Sequence, residues 1–479
     1  MTISPSTLPA PSTLSLLRAG KLAGSTRLDL SCGLTSFPAE IFTLADTLEV
    51  LNLSGNALSS LPDDLGRLHQ LRVLFCSDNA FTELPAVLGQ CAQLRIIGFK
   101  ANRIRHVPTA TFSPALQRSL HWLILTDNQI SSLPAELGQC RQLQKLMLSG
   151  NRLSQLPESM AACSELQLVR IAANQFAALP DWLPDLPKLS WLAYAGNPCC
   201  DMQHPDKNTS TNDNDKTPPQ DGLSDIHWDS LTLHDQLGEG ASGVIYRATW
   251  NDDTTQNMDA QQLPVAVKLF KGELTSDGLP QSEMTACMSA GAHPNLIAVH
   301  GIVRQHPAGS SGLVMGLVDA AYGNLAGPPS LASCTRDIYA AGSRFNLDAL
   351  SRIVCGIASA ARHLHARGIL HGDLYAHNML HNTRGDCLLG DFGAASFFDL
   401  GHDASAQALQ RIEVRAFACL LEELLERLVP DDTDKKTSQQ AISILTALQA
   451  RCAQSSNADR PLFKEIEQIL QAIPTTSAV

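Results

Sequence analysis

At 479 residues, 44% hydrophobic and 17% charged, the chain has room for two to four domains and the balance of folded rather than disordered protein. Its net charge of −12 is uneven: residues 1–200 hold 15 basic and 14 acidic side chains and the remainder 20 and 33, which argues against nucleic-acid binding by the second part. Thirteen cysteines, an odd number, argue against a disulfide framework, and no run reaches the roughly 18 apolar residues of a membrane span.

Residues 1–27 carry Pro5, Pro9 and Pro11 among Ser and Thr, without the basic start and apolar run of a secretory signal. Both parts of the chain are therefore expected in one reducing compartment, the cytoplasm.

From residue 28 to 200 a period governs the sequence. Asparagines stand at 56, 79, 102, 128, 151, 174 and 197, spaced by 23, 23, 26, 23, 23 and 23 residues, which marks a solenoid. Each unit reads like Leu48-Glu49-Val50-Leu51-Asn52-Leu53-Ser54-Gly55-Asn56 with Leu61-Pro62 beyond it, and the Leu-Pro step returns at Leu84-Pro85, Leu133-Pro134, Leu156-Pro157 and Leu179-Pro180. The pattern resembles leucine-rich repeats, about eight of them, in a horseshoe. A lone unit cannot bury its leucines, but stacked units bury a continuous spine. Asn is expected to satisfy backbone groups of neighbouring turns. Cys91, Cys140 and Cys163 recur at one place in the repeat and read as small packing residues. The three-residue excess before Asn128 is expected as a longer convex loop, and residues 28–47, with Cys32 in place of Asn, as an end cap.

Strand alternation sends two columns onto the concave face: Val50, Val73, Ile96, Trp122, Lys145, Leu168, Trp191, and Asn52, Phe75, Gly98, Ile124, Met147, Arg170, Ala193. The contiguous apolar strip of Phe75, Ile96, Trp122, Ile124 and Met147 is expected to dock a protein partner, with Trp122 as anchor. Residues 201–224, polar and closed by Pro218-Pro219, read as a linker that would keep the flanking domains within roughly 25–30 Å of each other.

The segment 225–474 carries four ordered motifs. A strand from Leu231 to Leu237 leads into Gly238-Glu239-Gly240-Ala241-Ser242-Gly243-Val244, then a second strand to Trp250, and Val265-Ala266-Val267-Lys268 follows. An isolated G-x-G-x-x-G is weak, but glycines between two strands let backbone N–H groups approach phosphates. Farther on stand His371-Gly372-Asp373-Leu374-Tyr375-Ala376-His377-Asn378 and Asp391-Phe392-Gly393. Leu350, Ile353, Val354, Ile357, Ala361 and Leu364 predict a helix from Leu347 to Arg367 that delivers the chain to His371.

These motifs resemble those of the protein kinases. The resemblance implies an α/β chain in which a two-lobed α+β kinase fold follows the repeat solenoid, with ATP and Mg²⁺ as cofactors. Leu237, Gly238, Glu239, Gly240, Ala241, Ser242, Gly243, Val244 and Lys268 would hold ATP, and Met315, on the strand Leu313 to Val318, would line the adenine site. Lys268 would contact the phosphates and be held by Glu283, Glu273 being the competitor; Asp373 would take the substrate hydroxyl's proton; Asn378 and Asp391 would hold the metal. Glu413 to Leu421 resembles the family's buried helix and Arg460-Pro461 its closing arginine.

The chain also departs from the family. Gly372 stands where an arginine that pairs with a loop phosphate is common, Tyr375 replaces the lysine of serine/threonine kinases, His377 is the nearest analogue of the tyrosine-kinase arginine, and no Ala-Pro-Glu follows. The fit is to a soluble, bacterial-type kinase lacking the arginine before the catalytic Asp, acting on a protein substrate and favouring serine or threonine. A pseudokinase scaffold and a small-molecule kinase are the alternatives. Phosphorylation of Ser396 or Ser405 is not expected to be the switch, because Gly372 offers no charge to receive it.

Overall fold

The computed structural model describes residues 12–201, 224–240, 242–252, 261–272, 274–401, 403–429 and 435–473. The polar segment expected as a linker falls almost wholly outside the described residues, as do Ala241 and Glu273. Two compact units divide between Ser164 and Glu165, inside the repeats rather than in the polar segment.

In the first unit, helix α1 (Thr13–Arg18) precedes six three-residue strands: β1 (Arg27–Asp29), β2 (Val50–Asn52), β3 (Val73–Phe75), β4 (Ile96–Gly98), β5 (Trp122–Ile124) and β6 (Lys145–Met147). Neighbours pair in parallel, Leu51 beside Leu74, Ile97, Leu123 and Leu146 in turn, and these side chains are fully buried. The repeated asparagines close the turns. Asn128 donates to Phe99 O at 2.9 Å and Leu125 O at 3.0 Å and accepts from Ile104 N at 3.0 Å, and Asn56, Asn79, Asn102 and Asn151 donate in the same way. A tight turn leaves main-chain carbonyls unpaired, and one amide side chain per repeat satisfies them.

The extra residues before Asn128 form helix α2 (Pro114–Ser119) instead of an open loop. Ser113 caps it by accepting from Leu116 N, and Pro114 sits in its first turn, where no N–H is needed. Cys91, Cys140 and Cys163 are buried and unpaired, and burial pushes their thiols up to about 12, 12 and 11, as inert packing groups require.

Along the concave strip, Phe75, Trp122, Ile124 and Met147 are half-buried and Ile96 is buried. The side chains lean on one another: Trp122 Nε1 donates to Met147 Sδ at 3.4 Å, and Lys145 Nζ sits 4.4 Å from the Trp122 ring centre.

The second unit opens with parallel strands β7 (Leu168–Arg170) and β8 (Trp191–Ala193) and helix α3 (Pro198–Asp201). A six-stranded sheet follows, made of β9 (Ser224–His227), β10 (Leu231–Glu239), β11 (Gly243–Asp252), β12 (Gln261–Phe270), β13 (Val299–Arg304) and β14 (Gly312–Gly316), with helix α4 (Pro280–Ala290) between β12 and β13 in sequence. Its order is β10-β11-β12-β14-β13-β9. Strand β9, parallel to β13, lies at the end of the segment expected as linker. Ile226, Leu231, Ala248, Val265, Val267, Val303 and Val314 form this lobe's core.

The larger lobe is helical, with α5 (Leu347–His365), α6 (Asp403–Leu425), α7 (Lys435–Cys452) and α8 (Phe463–Gln471). Strands β15 (Gly323–Asn324), β17 (Met379–His381) and β18 (Cys387–Leu389) form a small sheet, and β16 (Ile369–Leu370) pairs with β19 (Ser396–Phe397). The expected helix through the Leu350 to Leu364 stripe is therefore present as α5, and its apolar face is buried. Among the described residues no helix is long and apolar enough to cross a membrane.

The asparagine turns can be tested directly. Asn128→Ala leaves the Phe99 and Leu125 carbonyls and the Ile104 amide without their partner, so denaturant unfolding should show a loss of about 1–3 kcal/mol; an unchanged midpoint would contradict the assignment.

Candidate active site

The small-lobe half of the site rests on strand pairing. Lys268 lies on β12 between Ile245 of β11 and Leu313 of β14, so its side chain is fixed by two neighbouring strands. Its Nζ donates to Glu283 Oε1 at 2.5 Å and lies 4.0 Å from Asp391 Oδ1. Burial opposes the Lys268 charge, but Asp391 and Glu283 outweigh it and raise its pKa. Burial also pushes the Glu283 carboxyl up to about 7, against the pull of Lys268.

The glycine loop joins β10 to β11. Gly240 N donates to Gly243 O at 2.9 Å across it, and Lys271 pairs with Glu239. A Cβ at Gly238 or Gly240 would meet nothing within 4 Å, whereas one at Gly243 would meet Leu269 O at 2.5 Å. The first two glycines thus face open space, and the third lets two strands approach. Leu237 is exposed before the loop, Ser242 and Val244 are half-buried beyond it, and Met315 is half-buried opposite Ala266 on β14.

In the large lobe, β16 leads into His371, whose buried ring donates from Nε2 to Gly390 O at 2.9 Å and accepts at Nδ1 from Asp373 N at 3.3 Å. Asn378 Nδ2 donates to Asp373 Oδ2 at 2.8 Å and to Asp373 O at 3.0 Å. Asp391 adopts φ +53°, accepts at Oδ1 from Gly393 N at 3.1 Å, and is half exposed. His377 Nδ1 lies 2.8 Å from Asp337 Oδ1; burial opposes its charge, but Asp337, Asp373 and Asp391 raise its pKa.

Four residues of the site were not singled out from the sequence as parts of it. Glu413, at the buried helix α6, accepts from Gly372 N at 2.5 Å through Oε1 and bonds His365 Nε2 at 2.6 Å through Oε2, so it holds the catalytic loop. An acidic residue inside an apolar helical run was the available signal. Arg170, Trp191 and Asp277 also reach the site. Arg170 Nε donates to Asp277 Oδ1 at 2.8 Å and Nη1 to Gly372 O at 2.8 Å, while Nη2 pairs with Asp373 Oδ1. Trp191 stacks on Tyr375 with ring centres 4.1 Å apart and planes 5° from parallel. Both repeat residues were expected on the concave face; they are there, but buried.

Arg460, which resembles the family's closing arginine, is buried and donates to the carbonyls of Gln454, Arg411 and Pro187, and burial lowers its pKa to about 10.

A phosphate-bound divalent metal suits the donors present. Among the described residues no three His, Cys, Asp or Glu side chains could hold a metal by themselves. The half-exposed Asp391 carboxylate and the Asn378 amide oxygen, its nitrogen being turned to Asp373, make the sparse oxygen set of an ion that keeps water and phosphate ligands.

Gly372 has φ +74°, and a Cβ there would meet the carbonyl of Ala394 and Leu192 O at 2.7 Å. Position 372 therefore has no room for any side chain. Gly372→Ala should lower the unfolding free energy by about 1–3 kcal/mol in denaturant titration; a neutral result would show that the loop relaxes freely.

A family model described as "Protein tyrosine and serine/threonine kinase" matches residues 231–434, and leucine-rich-repeat models match residues 47–68 and 118–176. The chain is 24% identical over 179 residues to Activated Cdc42 kinase-like of Drosophila melanogaster, covering 37% of this chain and 12% of that protein. It is 27% identical over 207 residues to serine/threonine-protein kinase mos of Gallus gallus, covering 41% and 56%. Fibroblast growth factor receptor 1 of Dugesia japonica is 26% identical over 194 residues, covering 39% and 21%. The chain thus spans between 12% and 56% of the length of these relatives. With the fold, the ordered motifs and these matches in agreement, the chain carries leucine-rich repeats followed by a domain of the protein-kinase family.

Proposed function

We propose that the chain is a protein kinase that transfers the γ-phosphoryl group of ATP to a serine or threonine of a protein brought to it by the repeats. The observation that carries this reading is the Lys268–Glu283 ion pair, formed with Asp391 4.0 Å away. A fold that had abandoned transfer would have little reason to bury a charged pair, whose desolvation costs several kcal/mol per ion.

In this reading Lys268 holds the α- and β-phosphates, Gly238 and Gly240 admit them to the loop backbone, and Met315 borders the adenine. Asn378 and Asp391 would hold Mg²⁺, which when bound would supply charge to offset that building during transfer. Asp373, oriented by Asn378, receives the proton of the acceptor hydroxyl. The acceptor class rests on similarity to proteins named as serine/threonine kinases.

A nucleotide-binding scaffold without transfer is the second reading, favoured by one observation: both oxygens of Asp373 already accept hydrogen bonds within the chain. Radiolabelled Mg·ATP separates the two. Asp373→Asn should reduce phosphate incorporation by about 10²–10⁴-fold while nucleotide binding persists. Equal labelling of wild type and variant would remove Asp373 from the mechanism.

The half-buried apolar strip suits a protein partner. Trp122→Ala, checked for an unchanged melting temperature, should cost a few kcal/mol of partner affinity. Identical recovery of partners by both forms would make the strip passive surface.

Ser396 is fully buried, accepts from Tyr194 N at 3.0 Å, and so is out of reach of a modifying enzyme in this arrangement. Ser396→Ala combined with Ser405→Ala should keep activity within tenfold of wild type; a larger loss would show that loop phosphorylation is the switch.

A further inference from the structure

The last repeats, residues 165–200, fold within the same compact unit as the kinase domain. Their strands face the catalytic loop. The Arg170 side chain is 2% exposed, with its guanidinium on Asp373, on Gly372 O and on Asp277. Asn378 takes the other oxygen of Asp373, and that carboxylate is 16% exposed. Each oxygen thus already has a donor, and little of the carboxylate is left open to an acceptor hydroxyl.

The cover extends on either side of Arg170. Trp191 lies flat on Tyr375 and donates from Nε1 to Leu374 O at 3.3 Å. Tyr194 donates from its hydroxyl to Phe397 O at 2.8 Å and from its amide to Ser396 Oγ at 3.0 Å. The stretches so covered, 372–375 and 396–397, border the place where a protein substrate must present its hydroxyl to Asp373. Hydrogen bonds from Thr335 to Gln167, Asn457 to Pro184 O and Arg460 to Pro187 O fix the same repeats to the large lobe.

The nucleotide side is left open. Gly238 and Gly240 face open space, Asp391 is half exposed, and the Lys268–Glu283 pair is intact. Among the described residues, the repeat contacts on the site fall on the acceptor side and on Asp277, ahead of α4.

We propose that residues 165–200 are a built-in plug of the acceptor site, with Arg170 held in front of Asp373 where the substrate hydroxyl must come, so that transfer to protein requires the repeats to release it. The proposal rests on the kinase reading above. Gly372 fits this packing, since a Cβ there would meet Leu192 O of the repeat as well as the carbonyl of Ala394.

The test uses the full chain as wild type, Arg170→Ala, and Tyr194→Phe, a milder variant that leaves the buried charges in place. Labelling of a peptide library bearing Ser, Thr and Tyr acceptors with radioactive Mg·ATP is compared with hydrogen exchange of peptides spanning 370–378 and 394–399. Nucleotide affinity serves as the control expected to stay constant. Faster exchange with at least tenfold more labelling in Arg170→Ala, and a change of the same sign in Tyr194→Phe, supports the plug. Faster exchange with labelling at background in every form means there is no transfer to restrain, and both the plug and the kinase reading fall. Unchanged exchange, or labelling that drops in both variants, overturns the plug alone, the drop making Arg170 a positioning residue.

Discussion

A guanidinium buried among two carboxylates and a main-chain carbonyl organises the second unit. Arg170 joins strand β7 to Asp277, 107 residues later, and to Asp373, 203 residues later. Taking such a charge out of water is costly, and removing one partner of a buried pair typically costs about 3–5 kcal/mol because the other is stranded. Asp277 lies just before α4, which carries Glu283, while Gly372 and Asp373 belong to the catalytic loop. One side chain therefore couples the repeat, the small lobe and the large lobe. Asp277 bears the strain of the arrangement: burial raises its pKa, Arg170 opposes this, and Asp373 and Asp391 add to it.

This coupling gives physical sense to the departures from the family pattern. A kinase that carries an arginine before its catalytic Asp can anchor a loop phosphate there; here the position is closed to side chains by Leu192 and Ala394. The work of holding the catalytic loop passes to Glu413 and Arg170, and Tyr194 holds the stretch at Phe397. Tyr375, in place of a lysine, supplies the flat ring on which Trp191 rests. The missing arginine, the missing lysine and the docked repeats are three aspects of one interface.

The repeats were legible in the sequence because their period is set by local geometry, and an asparagine every 23 residues needs only its own neighbours to do its work. The ordered Gly, Lys, Asp-Asn and Asp-Phe-Gly motifs were legible because each is a short local run, and the kinase-family match spans all of them. The ends of α5, β10 and β11 came within a few residues of expectation. What was not legible depends on contacts between distant segments. The concave columns contained Arg170 and Trp191, so their direction was foreseeable, but nothing in a linear pattern says that the face would be filled by the chain's own catalytic loop. The expected boundary at residue 200 followed composition, while the compact units divide at 164 and 165, where packing and not polarity decides. Helix α2 reads as a loop in the sequence because a serine cap and a proline at the first turn are weak signals beside a broken period.

The most direct test of the central interaction is a double-mutant cycle between Arg170 and Asp277, with Arg170→Met, Asp277→Asn and the combined variant unfolded in denaturant. Groups in one buried network show coupling of about 0.5–3 kcal/mol, whereas independent sites add to within about 0.5 kcal/mol. Coupling above about 1 kcal/mol is the result this account predicts. Strict additivity of the two substitutions would contradict it, because Arg170 would then not couple the repeat to Asp277 and the small lobe.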